Sequence, residues 1–242
     1  MPTPGVPAAP IGILIQEARA VRARSHPSSS AIRCSGWPNR GIVDTRIAAT
    51  LQSAMFSERF FTAVRYAADA HGGQVRKGTT IPYFSHLMGV ASIVIDSGGD
   101  EDEAIAALLH DAAEDAGGRE RLDDIRSKFG DRVARIVESC TDAWERPKPP
   151  WLDRKRAYVE HAKHLAPDEL RVAAADKVHN SYAILRDLRI HGDSVWQRFN
   201  APASDVLWYY ESLVKSYRES GGGPLVEELA RIVRGIEREV GY

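Results

Sequence analysis

Four polar side chains that could do acid–base or metal chemistry follow an apolar run. His110, Asp111, Glu114 and Asp115 fall within six consecutive positions. In a helix, His110 and Glu114 share one part of a face, as do Asp111 and Asp115, because each pair is four residues apart. Burying two carboxylates and an imidazole without partners is costly, and a divalent cation offsets that cost. A solvated helix end is the alternative explanation.

Two other segments favour the metal hypothesis. His86 stands just after Pro82, at the start of a predicted helix, where a fixed turn can direct its side chain. Asp176 lies in a run of alanines, where a helix can pack closely on a neighbour and a solvated acid is poorly explained. Together with His110 and Asp111, these residues supply two imidazoles and two carboxylates. This mixed nitrogen and oxygen set suits Mn, Fe, Zn or similar ions.

The elements that must position these residues are helices. Apolar residues recur at three- and four-residue spacing, and no stretch alternates at period two with turns at hairpin spacing. Ser57 and Ser85 are predicted to cap the first two helices, and Asp100 with Glu103 resembles a capping box on the third. The predicted helices cover residues 57–72, 85–98, 101–115, 122–129, 133–144, 151–165, 168–190, 204–220 and 224–240. The sequence therefore predicts an all-α protein.

Length and composition exclude several classes of protein. The chain has 242 residues, with 32 Lys and Arg against 33 Asp and Glu. This near-neutral balance gives no case for nonspecific nucleic-acid binding. No apolar run approaches the roughly 20 residues that a membrane-spanning helix needs. The two cysteines, Cys34 and Cys140, exclude a disulfide scaffold and a Cys-rich zinc site, and they fit a reducing, cytoplasmic compartment.

The N-terminal segment differs from the rest of the chain. Six of the 13 prolines fall within the first fifty residues, which are also rich in Arg and poor in acids. Proline at this density prevents a long amphipathic helix. We therefore predict a disordered or non-native extension over residues 1–54 and one helical domain over residues 55–242, with Met55 as a candidate translation start.

Five motifs occur in an order that is typical of one family. They are AHGGQVRKG (residues 70–78), PYFSH (82–86), AALLHDAAED (106–115), FGDRV (129–133) and ADKVHN (175–180). The pattern resembles the HD-domain superfamily of metal-dependent phosphohydrolases. Within it, the pattern is most similar to the hydrolase domain of Rel/Spo stringent-response enzymes and to the small alarmone hydrolases. The resemblance covers about residues 57–217 and implies a compact multi-helix HD-domain bundle with a single metal site.

The resemblance also implies an activity and the residues that perform it. The activity is removal of the 3′-diphosphate from guanosine tetra- and pentaphosphate, releasing pyrophosphate, with one Mn(II) ion as the cofactor. Glu114 and Asp115 match the acidic pair that positions or activates the attacking water. The residues that match the family's metal ligands are His86, His110, Asp111 and Asp176.

Four further residues match substrate-binding positions of the family. Arg76 and Lys77 match basic residues that line the substrate site, and Asn180 and Tyr209 match positions near the ribose. The chain departs from the family at residues 112–113, where alanines replace Thr or bulkier side chains. The choice between a guanine and an adenine base therefore stays open.

Two alternatives to this function remain at the level of sequence. One is another HD-family nucleotide phosphohydrolase, including one that acts on adenosine alarmones. The other is a catalytically silent nucleotide-sensing module, although Glu114 and Asp115 argue against it because a sensor does not need the water-activating pair. All of these functions imply a small-molecule nucleotide partner, and the sequence leaves a homo-oligomer open. Among the other histidines, His71 is predicted to be a hydrogen-bonded core residue. His179 is predicted either to pack beside the site or to contact a metal ligand without binding the metal itself.

Overall fold

Helices form nearly all of the regular structure in the described part of the chain. The computed structural model describes residues 56–144 and 147–241, so the predicted extension over residues 1–54 and Met55 lie outside the described residues. The helices are α1 (Glu58–Ala70), α2 (Phe84–Asp96), α3 (Glu101–Leu109), α4 (Ala112–Asp115), α5 (Gly118–Phe129), α6 (Asp131–Cys140), α7 (Trp151–His161), α8 (Pro167–His191), α9 (Ala203–Glu219) and α10 (Pro224–Val240). Within the described ranges there is no strand, only an isolated antiparallel bridge between Val75 and Pro82. The prediction of an all-α protein is confirmed.

Two of the three predicted helix caps are confirmed. The Ser57 side chain accepts a hydrogen bond from a backbone N–H in the first turn of α1, and Asp100 forms the predicted capping box on α3. The Ser85 prediction is wrong, because α2 already begins at Phe84 and Ser85 lies inside its first turn. The Ser85 N–H donates to the carbonyl of Pro82 (3.0 Å), so the turn that starts α2 is set before Ser85 is reached.

The prediction of one continuous helix over residues 101–115 is also wrong. α3 ends at Leu109, and a turn at His110 and Asp111 separates it from the short helix α4. Asp111 has φ −96° and ψ −7°, a sparsely populated backbone region that is common at active sites. The chain therefore changes direction at the residues predicted to do chemistry.

Two further predicted helices are shorter than expected. The helix predicted over residues 133–144 ends at Cys140, because Thr141 has extended backbone angles (φ −82°, ψ 122°). This leaves Asp142 outside the helix, free to bind side chains of the following segment. The helix predicted over residues 151–165 ends at His161 and continues as a 3-10 turn over Ala162–His164.

Two buried apolar clusters meet along α8. One is formed mainly by α1 to α6 and the other by α7 to α10. The small side chains of α8 serve both, since Ala175 belongs to the first cluster while Ala173 and Ala174 belong to the second. Asp176 follows directly and is buried at this junction. Among the described residues, no helix combines the length and the apolar character that crossing a membrane requires.

Candidate functional site

Three of the predicted metal ligands come together from three separate elements. His86 lies in the first turn of α2, His110 in the turn after α3, and Asp176 in the middle of α8, and all three are buried. One potential ligand atom from each lies within 4.8 Å of the others. Asp176 Oδ1 is 3.2 Å from Nε2 of His86 and 3.5 Å from Nε2 of His110.

Asp111, the fourth predicted ligand, lies at the edge of this cluster. Its Oδ2 is 2.9 Å from His110 Nε2 and 3.7 Å from His86 Nε2. The same oxygen accepts a hydrogen bond from the Tyr83 hydroxyl (2.5 Å), which holds the carboxylate in place. His86, His110 and Asp176 therefore lie close together with Asp111 at their edge. We call these four residues the metal-ligand cluster.

The hydrogen bonds of the two imidazoles fit a bound cation. His110 Nδ1 donates to the Ala107 carbonyl (2.8 Å), because a carbonyl can only accept, and this leaves Nε2 as the nitrogen available to a metal. His86 Nδ1 lies 3.0 Å from Nδ1 of His179. In the described part of the chain, Nε2 of both His86 and His110 is buried and makes no hydrogen bond of acceptable geometry, despite the nearby carboxylates. Two such nitrogens facing two carboxylates suit a divalent transition metal.

The charges of the cluster also call for a cation. Burial alone would raise the pKa of Asp176 and of Asp111, but Lys177 and His110, respectively, outweigh it and hold both pKa values well below the usual range. Burial would lower the pKa of His110, yet the charges of Asp111 and Asp176 raise it well above its usual value. The ionised carboxylates thus attract positive charge, which a metal supplies in competition with the imidazole proton.

The predicted acidic pair lies just beyond the helix break, where the segment between α6 and α7 holds Glu114 and Gln74 holds Asp115. The Glu114 carboxylate accepts from Lys148 Nζ (2.5 Å) and from the backbone N–H of Asp142 (3.2 Å). Asp115 accepts from the Gln74 amide (3.2 Å). Burial and the charge of Asp142 raise the pKa of Glu114, and the Lys148 ammonium opposes that rise.

All four predicted substrate residues line one cavity of about 520 Å³. Arg76 donates to Asn180 Oδ1 (2.9 Å), and the Asn180 amide donates to Asp176 Oδ1 (2.6 Å), so the cavity and the metal-ligand cluster are in direct contact. Lys77 donates to Asn200 at 2.6 Å. Tyr209 is 6% exposed, and its hydroxyl makes no hydrogen bond to any described residue.

The cavity wall also contains cationic residues that sequence reasoning missed. Among the described residues, these side chains bring the number of Lys and Arg residues in the wall to six, against one carboxylate, Asp187. The residues that the sequence analysis did not assign are Lys155, Lys177, Arg186 and Arg198. A cavity with such an excess of positive charge favours a ligand with several negative charges.

Lys155 illustrates why the sequence did not indicate these additional cationic residues of the cavity wall. It lies on α7, a helix whose many charged residues suggest a solvated surface. In the structure its Nζ binds Asp142 Oδ2 (2.5 Å) and lies 4.8 Å from the centre of the Tyr209 ring. Asp142 is available for this contact only because α6 ends early, which the helical pattern did not predict.

The other predicted roles of the histidines match their positions. His71 is buried, and its Nδ1 lies 2.7 Å from Gln74 Oε1, as expected of a hydrogen-bonded core residue. His179 packs against His86, and burial together with the charge of His86 lowers its pKa to about 4.

Comparison with known proteins identifies the family. The HD domain model matches residues 63–203 of the chain. The chain is 41% identical over 130 residues to guanosine-3′,5′-bis(diphosphate) 3′-pyrophosphohydrolase MESH1 of Xenopus tropicalis, which covers 52% of this chain and 68% of the relative. It is 37% identical over 173 residues to the MESH1 protein of Danio rerio, covering 68% of this chain and 86% of that one. The chain therefore belongs to the HD domain family.

A solved structure agrees with this assignment. The fold is similar to that of a metazoan ortholog of SpoT that hydrolyses ppGpp and plays a role in starvation responses. The TM-score is 0.61 at 27% sequence identity, and the match covers 74% of this chain and 96% of that chain. The predicted HD-domain fold and the predicted Rel/Spo-type relationship are both confirmed, and the two MESH1 relatives are named as hydrolases.

Proposed function

We propose that this protein is a Mn(II)-dependent hydrolase that removes the 3′-diphosphate from guanosine tetraphosphate and pentaphosphate and releases pyrophosphate. The observation that carries the proposal is the contact between a cluster of metal-ligand type and a cavity lined by cations, made through Asn180 and Asp176. The names of the MESH1 relatives and of the SpoT ortholog support the same substrate class.

In this proposal the metal-ligand cluster holds one divalent cation. When bound, such an ion lowers the pKa of a coordinated water and polarises a phosphoryl oxygen. The cluster residues would provide its ligands, and Tyr83 would fix the orientation of Asp111 through their hydrogen bond. We assign Mn(II) because the resemblance to the alarmone hydrolases implies it, and the mixed nitrogen and oxygen ligands are compatible with it.

Glu114 and Asp115 are assigned to the attacking water. A carboxylate at this position can orient the water and accept its proton, and general-base help of this kind is worth about 10²–10⁴-fold in rate. Glu114 suits the task, since burial and Asp142 raise its pKa and make it a better proton acceptor than an ordinary glutamate.

The cavity is assigned to the nucleotide. Arg76 and Lys155 offer charge-assisted hydrogen bonds to phosphate, and guanidinium planes and aromatic rings in the wall can stack on a base. Asn180 and the unpaired hydroxyl of Tyr209 provide polar groups for the ribose. Such an arrangement would bind a polyanion beside the cluster.

A panel of nucleotides tests the proposal. The full chain, with Mn(II), is mixed with guanosine and adenosine nucleotides that carry a 3′-diphosphate, and phosphorus NMR identifies the released species. We expect pyrophosphate from the guanosine compounds and none after chelation of the metal. Preference for the adenosine compounds, or release of orthophosphate, would indicate a different HD-family phosphohydrolase. Tight binding without any release under all divalent metals would indicate a sensor.

Two finer assignments accompany the function. Replacing Mn(II) with Zn(II), Fe(II) or Mg(II) in the same assay tests the choice of metal, and we expect the highest turnover with Mn(II). We also propose a cytoplasmic location, which rests on the low cysteine content of the chain. Imaging of a tagged full chain tests the location.

A further inference from the structure

One half-buried imidazole beside the metal-ligand cluster has no role in the function proposed above. His179 lies on α8, three residues after Asp176, and its Nδ1 is 3.0 Å from Nδ1 of His86. His86 is fully buried, and its other ring nitrogen, Nε2, faces Asp176 Oδ1 at 3.2 Å. If Nε2 of His86 is to bind a cation, the ring proton must sit on Nδ1, where it needs an acceptor.

We propose that His179 is a positioning residue for the metal site. Its Nδ1 accepts a hydrogen bond from the Nδ1–H of His86, and this bond fixes the His86 tautomer that presents Nε2 to the cation. This inference rests on the metal site of the proposed function. Metal-bound histidines commonly donate their second ring N–H to a fixed acceptor, which orients the ring and raises its basicity. The other imidazole of the cluster has such an acceptor in the Ala107 carbonyl.

The facing surface of α2 has the shape that this contact requires. Gly89 is three residues after His86, so both lie on the side of α2 that faces α8. A Cβ atom at position 89 would lie 2.3 Å from Nε2 of His179 and 2.4 Å from its Cδ2. Glycine is less favourable than alanine inside a helix. The missing side chain therefore provides the space in which the His179 ring reaches His86.

The first experiment changes the acceptor. His179→Leu removes it while keeping an apolar side chain of similar bulk, and His179→Asn places an amide oxygen near the position of the imidazole Nδ1. Calorimetric titration of the metal-free full chain with Mn(II), without nucleotide, measures the affinity of the site. We expect His179→Leu to weaken binding by roughly 10–100-fold, as is typical for loss of such a partner, and His179→Asn to recover most of the loss. Unchanged affinity in the Leu variant, or no recovery in the Asn variant, would overturn the inference.

The second experiment displaces the ring without changing a polar group. Gly89→Ala should weaken Mn(II) binding because its new methyl group pushes the His179 ring away from His86. In a chain that already carries His179→Ala, the same change should leave the affinity as it is, since the atoms that it would strike are gone. This non-additivity is the signature of an effect that passes through His179. Equal losses in both backgrounds, or no loss in either, would contradict the inference.

The two proposals fail in distinguishable ways. A wild-type chain that binds no Mn(II) overturns both the metal site and the role of His179. A wild-type chain that binds Mn(II) and releases pyrophosphate, while the His179 and Gly89 variants bind Mn(II) equally well, overturns only the role of His179. Melting curves of the metal-free variants identify any protein that has not folded. If His179→Leu or His179→Asn does not fold, the comparison of Gly89→Ala in the wild-type and His179→Ala chains tests the role of His179.

Discussion

The metal-ligand cluster and the cavity wall beside it have opposite charge. The cluster combines two carboxylates with two imidazoles, so its ionised form attracts a cation. The wall has six Lys and Arg residues and one carboxylate, so it attracts an anion. Three of the cluster residues bring potential ligand atoms within 4.8 Å of one another, whereas the cationic side chains of the wall surround a cavity of about 520 Å³. In the proposed function, the reaction therefore takes place at the cluster, and the large polyanion binds along the wall.

The two regions are nevertheless connected by direct contacts. Asn180 donates to Asp176 in the cluster and accepts from Arg76 in the wall. Lys177, which lines the cavity, binds Asp176 Oδ2 at 2.5 Å. A nucleotide that orders Arg76 would therefore also affect Asn180, which donates to Asp176 of the cluster. Substitutions in the cluster should remove metal binding and activity together, and those in the wall should mainly weaken binding of the nucleotide.

The largest effect is expected from His110→Ala. It removes a ligand nitrogen from the cluster, and we expect the chain to lose its bound Mn(II) and all measurable hydrolysis. Wild-type protein should also melt several degrees higher with Mn(II), because a ligand at 100 times its Kd stabilises a fold by about 2.7 kcal/mol. That rise should be absent in the variant. His161→Ala, on an exposed histidine, is the matched control. One equivalent of Mn(II) retained by His110→Ala would refute the ligand assignment.

Glu114→Gln should separate chemistry from binding. The amide keeps the shape of the side chain and can still accept from the Asp142 N–H, but it can no longer take a proton from water. We expect turnover to fall by about 10²–10⁴-fold, with Mn(II) and nucleotide affinities close to wild type. Rapid-quench kinetics and calorimetry give the two quantities. Wild-type turnover in this variant would show that Glu114 is not the base.

In the cavity wall, Arg76→Ala should affect binding more than chemistry. A hydrogen bond to a charged group is worth about 1.5–3 kcal/mol, which corresponds to roughly 10–100-fold in KM. We expect kcat to change much less, because Arg76 contacts no metal ligand directly. Steady-state kinetics gives both constants, and Arg234→Ala, at an exposed position, serves as the control. A fall confined to kcat would place Arg76 in the chemical step.

The same two regions differ in how far the sequence predicts them. The cluster residues lie in short motifs whose types and spacing are informative, and the structure places His86, His110 and Asp176 within 4.8 Å of one another. Asp111 lies beside them, 2.9 Å from His110. Their role as metal ligands stays a prediction. The turn at His110 was not predicted, because an alanine-rich segment with good helix propensity gives no local sign of a break.

The cavity wall was predicted only where the family motifs reach it. Lys155 and Arg198 come from parts of the chain that carry no motif, and their long charged side chains are normally solvent-exposed. Only the tertiary structure turns them inward, through ion pairs with Asp142 and Asp187. Such contacts join residues that are distant from any recognisable pattern, so composition and periodicity do not indicate them.

A smaller effect is expected at Lys148, which pairs with Glu114 of the acidic pair. Its ammonium lowers the pKa of Glu114 against burial and Asp142, so Lys148→Met should raise that pKa further. A general base must be ionised, and activity is lost as the pH falls through its pKa. The acidic limb of the pH–rate profile should therefore move to higher pH, with little change at high pH. Lys163→Met, on an exposed pair with Glu160, is the control. An unmoved limb would show that Glu114 does not set it.

The smallest effect is expected from shortening the chain to begin at Met55. We propose that residues 1–54 are an extension outside the helical domain. The described residues, which begin at position 56, build both apolar clusters, the metal-ligand cluster and the cavity wall. The charge difference between cluster and wall should therefore persist, and the shortened chain should keep its Mn(II) affinity, its KM and its melting temperature. Calorimetry, steady-state kinetics and a melting curve on both chains make the comparison. A drop of several kcal/mol in the free energy of unfolding, or a loss of turnover, would show that the N-terminal segment contributes to the folded enzyme.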